Sequence, residues 1–278
     1  MAFKRKYFSP VAYLNKAKLL ALRHLFPWEL TVKAKINVGS HSIIFLTNSY
    51  LEYFLRAQYG YKRESVTVRW IQETIKSSDT VFDVGANVGT FSLLMGKMVE
   101  TGGGSVYAFE PEASNFLSLN RNILANNLSS TVSAFGIACA DKLRKSELFL
   151  SSLTPGASLH GIDAPRSEGK EFSEQYSQGI LVCSLDELVF ELGIPFPNHI
   201  KIDVDGAEGM VVDGMTKILM DHRLRSILIE LDLDLDGEQI RECLEKHGFK
   251  EVAREQFPGK SVYNVVFVKS SIGTTMSN

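Results

Sequence analysis

The sequence predicts a doubly wound α/β fold on a mostly parallel seven-stranded sheet, preceded by a helical and hairpin extension. Three observations carry that expectation. From about position 65, apolar runs of strand length alternate with longer segments of helical period, the pattern of repeated βαβ units. Glycine and proline fall between these runs rather than inside them. The last segment, GFKEVAREQFPGKSVYNVVFVK, instead reads as two strands around Pro258-Gly259, a hairpin that would close the sheet with an antiparallel strand. With 45% hydrophobic and 22% charged residues in 278 positions, the chain can bury one substantial core.

Residues 1–64 form the expected extension. Lys4, Arg5, Lys6, Lys16, Lys18, Arg23, Lys33 and Lys35 precede position 36, opposed only by Glu29 in that stretch, and Asn15, Lys16 and Lys18 interrupt any signal-peptide or membrane-spanning run. Val11, Leu14, Leu19, Leu22 and Phe26 recur at mostly helical spacing between Pro10 and Pro27. Such a helix packs on the main domain or, alternatively, makes a peripheral contact with an anionic membrane face. Residues 36–56 read as a short hairpin and helix covering one end of the sheet.

Residues 65–270 form the main domain and 271–278 a flexible tail. A helix is expected over 65–76, then strands at Thr80 to Val84, Ser105 to Glu110, Val132 to Ala138, Ile200 to Val204 and Ser226 to Leu231. The intervening helices are Val88 to Val99, Pro111 to Asn127, Ser184 to Leu192, Glu208 to Leu219 and Gly237 to His247. Pro111 suits a first helical position, and Ser184 with Glu187 and Asp236 with Gln239 match capping boxes. Residues 144–183 look like an insertion with short strand-like pieces around a polar, mobile loop, long enough to be functional and expected near the acceptor site.

The net charge of −2 provides no global attraction to nucleic acid. Cys139, Cys183 and Cys243 are odd in number and lack metal-ligand spacing, which suits free thiols in a cytoplasmic protein.

The stretch VFDVGANVGTFSLL places Asp83 at the end of a strand, Gly85 and Gly89 in the turn, and a helix after it. Ligands of open α/β sheets bind outside the carboxyl ends of the strands, and glycines let them approach the backbone. The spacing departs from the G-x-G-x-x-G fingerprint, so a pyrophosphate cradle is disfavoured. Glu110 lies 21 positions beyond Gly89, where an acid ending the second strand can accept both ribose hydroxyls. An acid for an amine, an acid for a ribose and no phosphate cradle describe S-adenosyl-L-methionine. Asp83, Gly85, Asn87, Gly89, Glu110 and Asp141 are the expected cofactor-binding residues.

DVGANVGTFS, YAFEPEASNFLSLNRNILANN, CSLDEL and above all IKIDVDGAEGMVVDGM resemble the motifs of FkbM-type methyltransferases, class I enzymes dependent on S-adenosylmethionine. The resemblance covers about residues 40–235, with Asp205 where that family usually has glutamate. It implies a hydroxyl acceptor on a sugar, glycan or polyketide-like natural product.

IKIDVDGAE is unusual for a covered parallel strand, because alternation puts Lys201, Asp203 and Asp205 on one side. Charges there must be paired or used. Glu230, ending the next strand, is a plausible partner for Lys201. The catalytic candidates are Asp203 as a base or positioning group, Lys201 if burial lowers its pKa, and His160 from the insertion. Asp203, Asp205 and Glu208 are an alternative magnesium set, although no metal is assigned. DLDLDG at 232–237 begins like a calcium loop, but Cys243 occupies the position where a bidentate glutamate is required. His199 precedes its strand and reads as structural. The function expected is O-methylation of a small-molecule or glycan acceptor; the alternatives are N- or protein-side-chain methylation and a cofactor-binding module without turnover.

Overall fold

The computed structural model describes residues 31–270 apart from residue 168, so the expected basic helix and the tail 271–278 lie outside the described residues. The extension begins with the hairpin β1 (Val32–Val38) and β2 (His41–Thr47), followed by a π-helix, Leu51–Gln58, and one turn, α1 (Gly60–Arg63). The main domain follows with α2 (Ser65–Thr74), β3 (Thr80–Val84), α3 (Thr90–Val99), β4 (Ser105–Phe109), α4 (Ala113–Ala125) and β5 (Val132–Phe135). Next come β6 (Ala138–Cys139), β7 (Arg144–Leu150), β8 (Gly161–Ile162), β9 (Arg166–Ser167), β10 (Lys170–Glu171) and β11 (Tyr176–Cys183). The chain then returns through α5 (Leu185–Phe190), β12 (His199–Ile202), α6 (Glu208–Asp213), α7 (Thr216–Met220) and β13 (Ser226–Asp232). It ends with α8 (Gly237–Lys246), β14 (Phe249–Gln256) and β15 (Val262–Lys269).

The main sheet has seven strands in the order β14-β15-β13-β12-β3-β4-β5. The five strands from β13 to β5 are mutually parallel, and β15 is antiparallel to both β13 and β14. The chain winds outward in opposite directions from β3 and β12, so a crevice opens at their carboxyl ends. Alternation along the strands feeds two cores: Val81, Val106 and Leu228 pack with α2, α3, α4 and the hairpin on one face, whereas Phe82, Ile200 and Ile229 pack with α5 to α8 on the other.

Local chemistry moves several expected boundaries. Pro111 lies outside α4, because Glu112 is the N-cap and its carboxylate accepts from the amides of Ser114 and Asn115 at 2.9 and 2.6 Å. The Ser184–Glu187 capping box forms, but Asp236 turns toward Gly209 and makes no cap bond. The helix expected over 208–219 is broken at Gly214, where a Cβ would sit 2.0 Å from the Ala140 carbonyl oxygen. Asp186 of α5 accepts from the Lys217 and Ile218 amides and restarts the chain as α7.

The strand expected through Ala138 leaves the main sheet at Phe135, and Ala138–Cys139 pairs with β11 in a second, four-stranded sheet, β6-β11-β7-β8. Most of the insertion is therefore strand rather than loop. The N-terminal hairpin packs on α4 instead of capping a sheet end, with Asn126 and Asn122 accepting the Ile44 and Leu46 amides at 2.8 Å. At the amino ends of the strands, Trp70, Ser226, His199 and Asp79 form a buried chain of hydrogen bonds. Burial, reinforced by Arg225, lowers the His199 pKa to about 4, so this imidazole is a neutral structural group.

Gly85 joins this frame to the site. Its φ of 80° is left-handed, and a Cβ there would lie 1.8 Å from the Asp203 carbonyl oxygen. Gly85→Ala should lower unfolding free energy by roughly 2–5 kcal/mol through backbone strain and overpacking. Gly179→Ala, where a Cβ meets nothing within 4 Å, is the control and should change stability by no more than about 0.5 kcal/mol. Urea midpoints measure both, and equal midpoints would refute the close approach.

Candidate active site

A cavity of about 860 Å3 opens at the carboxyl ends of β3, β4, β12 and β13. One end is walled by Gly85, Asn87, Phe109, Glu110, Ile137 and Leu148. The other is walled by Tyr50, Arg56, Tyr59, Glu64, Glu230 and Phe257, contributed by the extension, β13 and the terminal hairpin. Asp203 and Val204 line the cavity beyond the end of β12.

Glu110 is held for a ligand. The amides of Asn87 and Glu112 donate to its two carboxylate oxygens at 2.8 and 2.9 Å, leaving each oxygen capacity for a further donor. Burial, opposed by those two amides and reinforced by the Glu112 and Asp205 charges, raises its pKa to about 7. A vicinal diol donating to this carboxylate is the interaction a ribose makes, and apolar Phe109, Ile137 and Leu148 suit the flat face of a nucleobase. These residues fit S-adenosylmethionine.

The two glycines differ in place. The space where a Gly89 Cβ would sit is filled by Leu119, and Gly89 does not line the cavity. Gly85 packs against the Asp203 carbonyl and also lines the cavity. Asp83 is also absent from the cavity wall: it is 1% exposed, accepts from Ser92, and lies 3.5 Å from the Lys201 Nζ. Asp141 is half-buried beside Lys142 and Arg144 and does not line the cavity. Of the six expected cofactor residues, Gly85, Asn87 and Glu110 are brought together there.

The charged strand forms a pair different from the one expected. Lys201 reaches Asp203 Oδ2 at 3.0 Å as well as Asp83, and no ion pair to Glu230 forms. Burial depresses the lysine pKa, but the carboxylates of Asp203, Asp83 and Glu64 together lift it above the ordinary value. Lys201 is therefore a fixed cation that does not line the cavity and is unsuited to be a base. Burial works against the Asp203 carboxylate, yet Lys201, Arg56 and Arg63 hold its pKa below the usual range. Asp205 lines the cavity and accepts from the Leu159 amide, whereas Glu208 accepts from the amides of Val204 and Gly206 and is not part of the lining. Among the described residues, no three metal-ligating side chains converge.

His160 lines the cavity, but its Nδ1 accepts from the Ser151 amide at 3.3 Å, which places the ring proton on Nε2. Burial lowers its pKa, so it enters as a neutral donor rather than a base. The loop carrying it is clamped, contrary to the mobile loop expected. Asn87 and Asn115 donate to the Ala157 carbonyl, Asn115 accepts from Gly156, and Arg56 Nε donates to the Gly156 carbonyl at 2.9 Å. Sequence reasoning missed Asn115, Arg56 and the lining role of Glu230; Glu230 alone had a signal, as an acid ending an apolar strand.

Two measurements test this geometry. Lys201→Met leaves two buried carboxylates without their cation and should cost about 3–5 kcal/mol in chemical denaturation. Because a diol binds the ionised form of Glu110, affinity for S-adenosylhomocysteine should fall as pH drops below about 7. Calorimetry should show a weaker pH dependence in Glu110→Gln, with affinity reduced by about 1–3 kcal/mol.

The family model described as the methyltransferase FkbM domain matches residues 83–251. The chain is 26% identical over 181 residues to the hexuronic acid methyltransferase AglP of Haloferax volcanii, covering 65% of this chain and 67% of that protein. It is 26% identical over 216 residues to the 31-O-demethyl-FK506 methyltransferase FkbM of Streptomyces tacrolimicus, covering 69% of this chain and 81% of that protein. A solved FkbM methyltransferase structure from Methylobacillus flagellatus KT aligns with a TM-score of 0.48 at 14% identity, over 70% of this chain and 44% of that one. With more than half of its length matched by the family model, the chain belongs to the FkbM methyltransferase family and is an S-adenosylmethionine-dependent enzyme.

Proposed function

We propose that the protein is an O-methyltransferase acting on a hydroxyl of a sugar, glycan or polyketide-like natural product. The observation carrying this reading is one continuous cavity joining the ribose-type acid Glu110 to Asp203 and Glu230 at the ends of neighbouring strands. Bound S-adenosylmethionine supplies an electrophilic methyl group. The chain holds that donor at the Glu110 end, excludes water with the clamped 156–160 loop, and presents the acceptor from the opposite wall.

That wall combines Tyr50, Tyr59 and Phe257 with Arg56 and Glu64, a mixture of aromatic faces and polar groups suited to a hydroxyl-rich, partly apolar acceptor. The two curated relatives named above methylate a hexuronic acid and a demethylated FK506, which supports the same acceptor classes. Asp203, fixed and kept ionised by Lys201, orients the reacting groups.

Cell extracts incubated with the enzyme and trideuteriomethyl-labelled cofactor should contain one low-molecular-mass or glycan product carrying the label on oxygen, identified by untargeted mass spectrometry. Label on nitrogen or on protein would favour the N- or protein-methylating alternative. Cofactor binding with no labelled product would favour the binding module. Asp203→Asn should keep affinity for S-adenosylhomocysteine and lower turnover by roughly 10²-fold.

A further inference from the structure

The position of Glu230 carries an inference about the proton that leaves the acceptor. Pairing of Ile202 with Ile229 puts Asp203 and Glu230 side by side just beyond the matched residues, and both line the cavity. Their surroundings differ. The Asp203 carboxylate is neutralised by Lys201, which makes it a weak proton acceptor. Lys201 is already protonated, and Nδ1 of His160 is occupied by the Ser151 amide. Among the described residues, none donates a hydrogen bond or forms an ion pair to the Glu230 carboxylate.

The electrostatic surroundings of Glu230 come from several elements. Burial raises its pKa well above the ordinary glutamate value, and Asp203, Glu208, Asp205 and Glu64 push in the same direction. Asn264, opposite Glu230 on β15, donates its amide to Glu64. The charges of Lys201, Arg56 and Arg63 act on Asp203 and Glu64, and Lys62 and Lys260 also line the cavity. Glu255 lines the same cavity from β14. Without a ligand, the Glu230 carboxyl accordingly holds its proton more firmly than an ordinary glutamate, facing a cavity that other carboxylates also line.

We propose that Glu230 is the general base for the acceptor hydroxyl, and that the positive charge of the methyl donor converts it to the carboxylate. This rests on the methyl-transfer reading above. A cation entering a poorly hydrated cavity lowers the pKa of an acid there, so the base is generated only when the donor is present. In the transfer step the acceptor oxygen bonds the methyl carbon, the carbon–sulfur bond breaks, and sulfur keeps its electron pair. The hydroxyl proton passes to Glu230. The sulfonium charge and the carboxylate charge disappear together, and Glu230 is left protonated.

Calorimetry on the full chain in two buffers of different ionisation enthalpy separates this proposal from the methyl-transfer reading. At neutral pH, S-adenosylmethionine should release about half a proton or more beyond that released by S-adenosylhomocysteine, which lacks the sulfonium charge. Glu230→Gln should abolish the difference while leaving S-adenosylhomocysteine affinity within about 3-fold, which also reports folding. Glu230→Asp should retain it. Turnover of Glu230→Gln on the acceptor isolated from labelled extracts should fall by about 10²-fold or more, and its KM for S-adenosylmethionine should rise about 2-fold or more because the sulfonium loses the carboxylate it ionises. Equal proton release by the two ligands, a difference that persists in Glu230→Gln, or wild-type turnover in that variant overturns the assignment of Glu230. Failure of the wild-type chain to bind either ligand overturns the methyl-transfer reading itself.

Discussion

A lysine buried between two aspartates determines the arrangement of the carboxyl ends of this sheet. Lys201 is 1% exposed and lies between Asp83 of β3 and Asp203 beyond β12, the strands from which the chain winds in opposite directions. The register pairs Lys201 with Asp83 directly. Such a triad is costly to desolvate and gives little net stability over an apolar replacement, but loss of its cation strands two carboxylates. Its value lies in position. It fixes the Asp203 side chain at the switch point, while the backbone there packs against Gly85 with room for no Cβ.

The wall over this crevice depends on backbone satisfaction. Residues 155–157 have no strand partner, and their carbonyls are met instead by Ser49, Arg56, Asn87 and Asn115. Those side chains come from the extension, the β3–α3 turn and α4. The insertion, the extension and the cofactor end of the cavity are thereby held as one unit. Glu52 of the π-helix strengthens this contact by accepting from Asn48, Ser49 and Ser118.

Around the cavity, the acids divide by environment. Asp203 has a cation and stays ionised, whereas burial moves Glu110 to about 7 and Glu208 to about 8. Glu208 uses its carboxylate to fasten the turn after β12, and Glu110 uses its own to fasten the turn after β3 while retaining capacity for a ligand. Perturbed acids of this kind concentrate at functional sites because a ligand can compensate what the protein leaves incomplete.

The sequence by itself determined the seven-stranded doubly wound sheet, the closing hairpin and the Ser184 capping box. Those features are written locally, in the period of apolar residues and in short spacings such as Ser184 to Glu187. Alternation also identified Lys201 and Asp203 as charges needing an explanation. Only the tertiary structure decided their partners, because Asp83 is 118 positions away from Lys201 and only the parallel register brings the two together. The same holds for Asp141, expected with the cofactor, which follows β6 into the second sheet and does not line the cavity. The clamp on the 156–160 loop depends on Asn87, Asn115 and Arg56, contacts across at least 41 positions that no local pattern encodes.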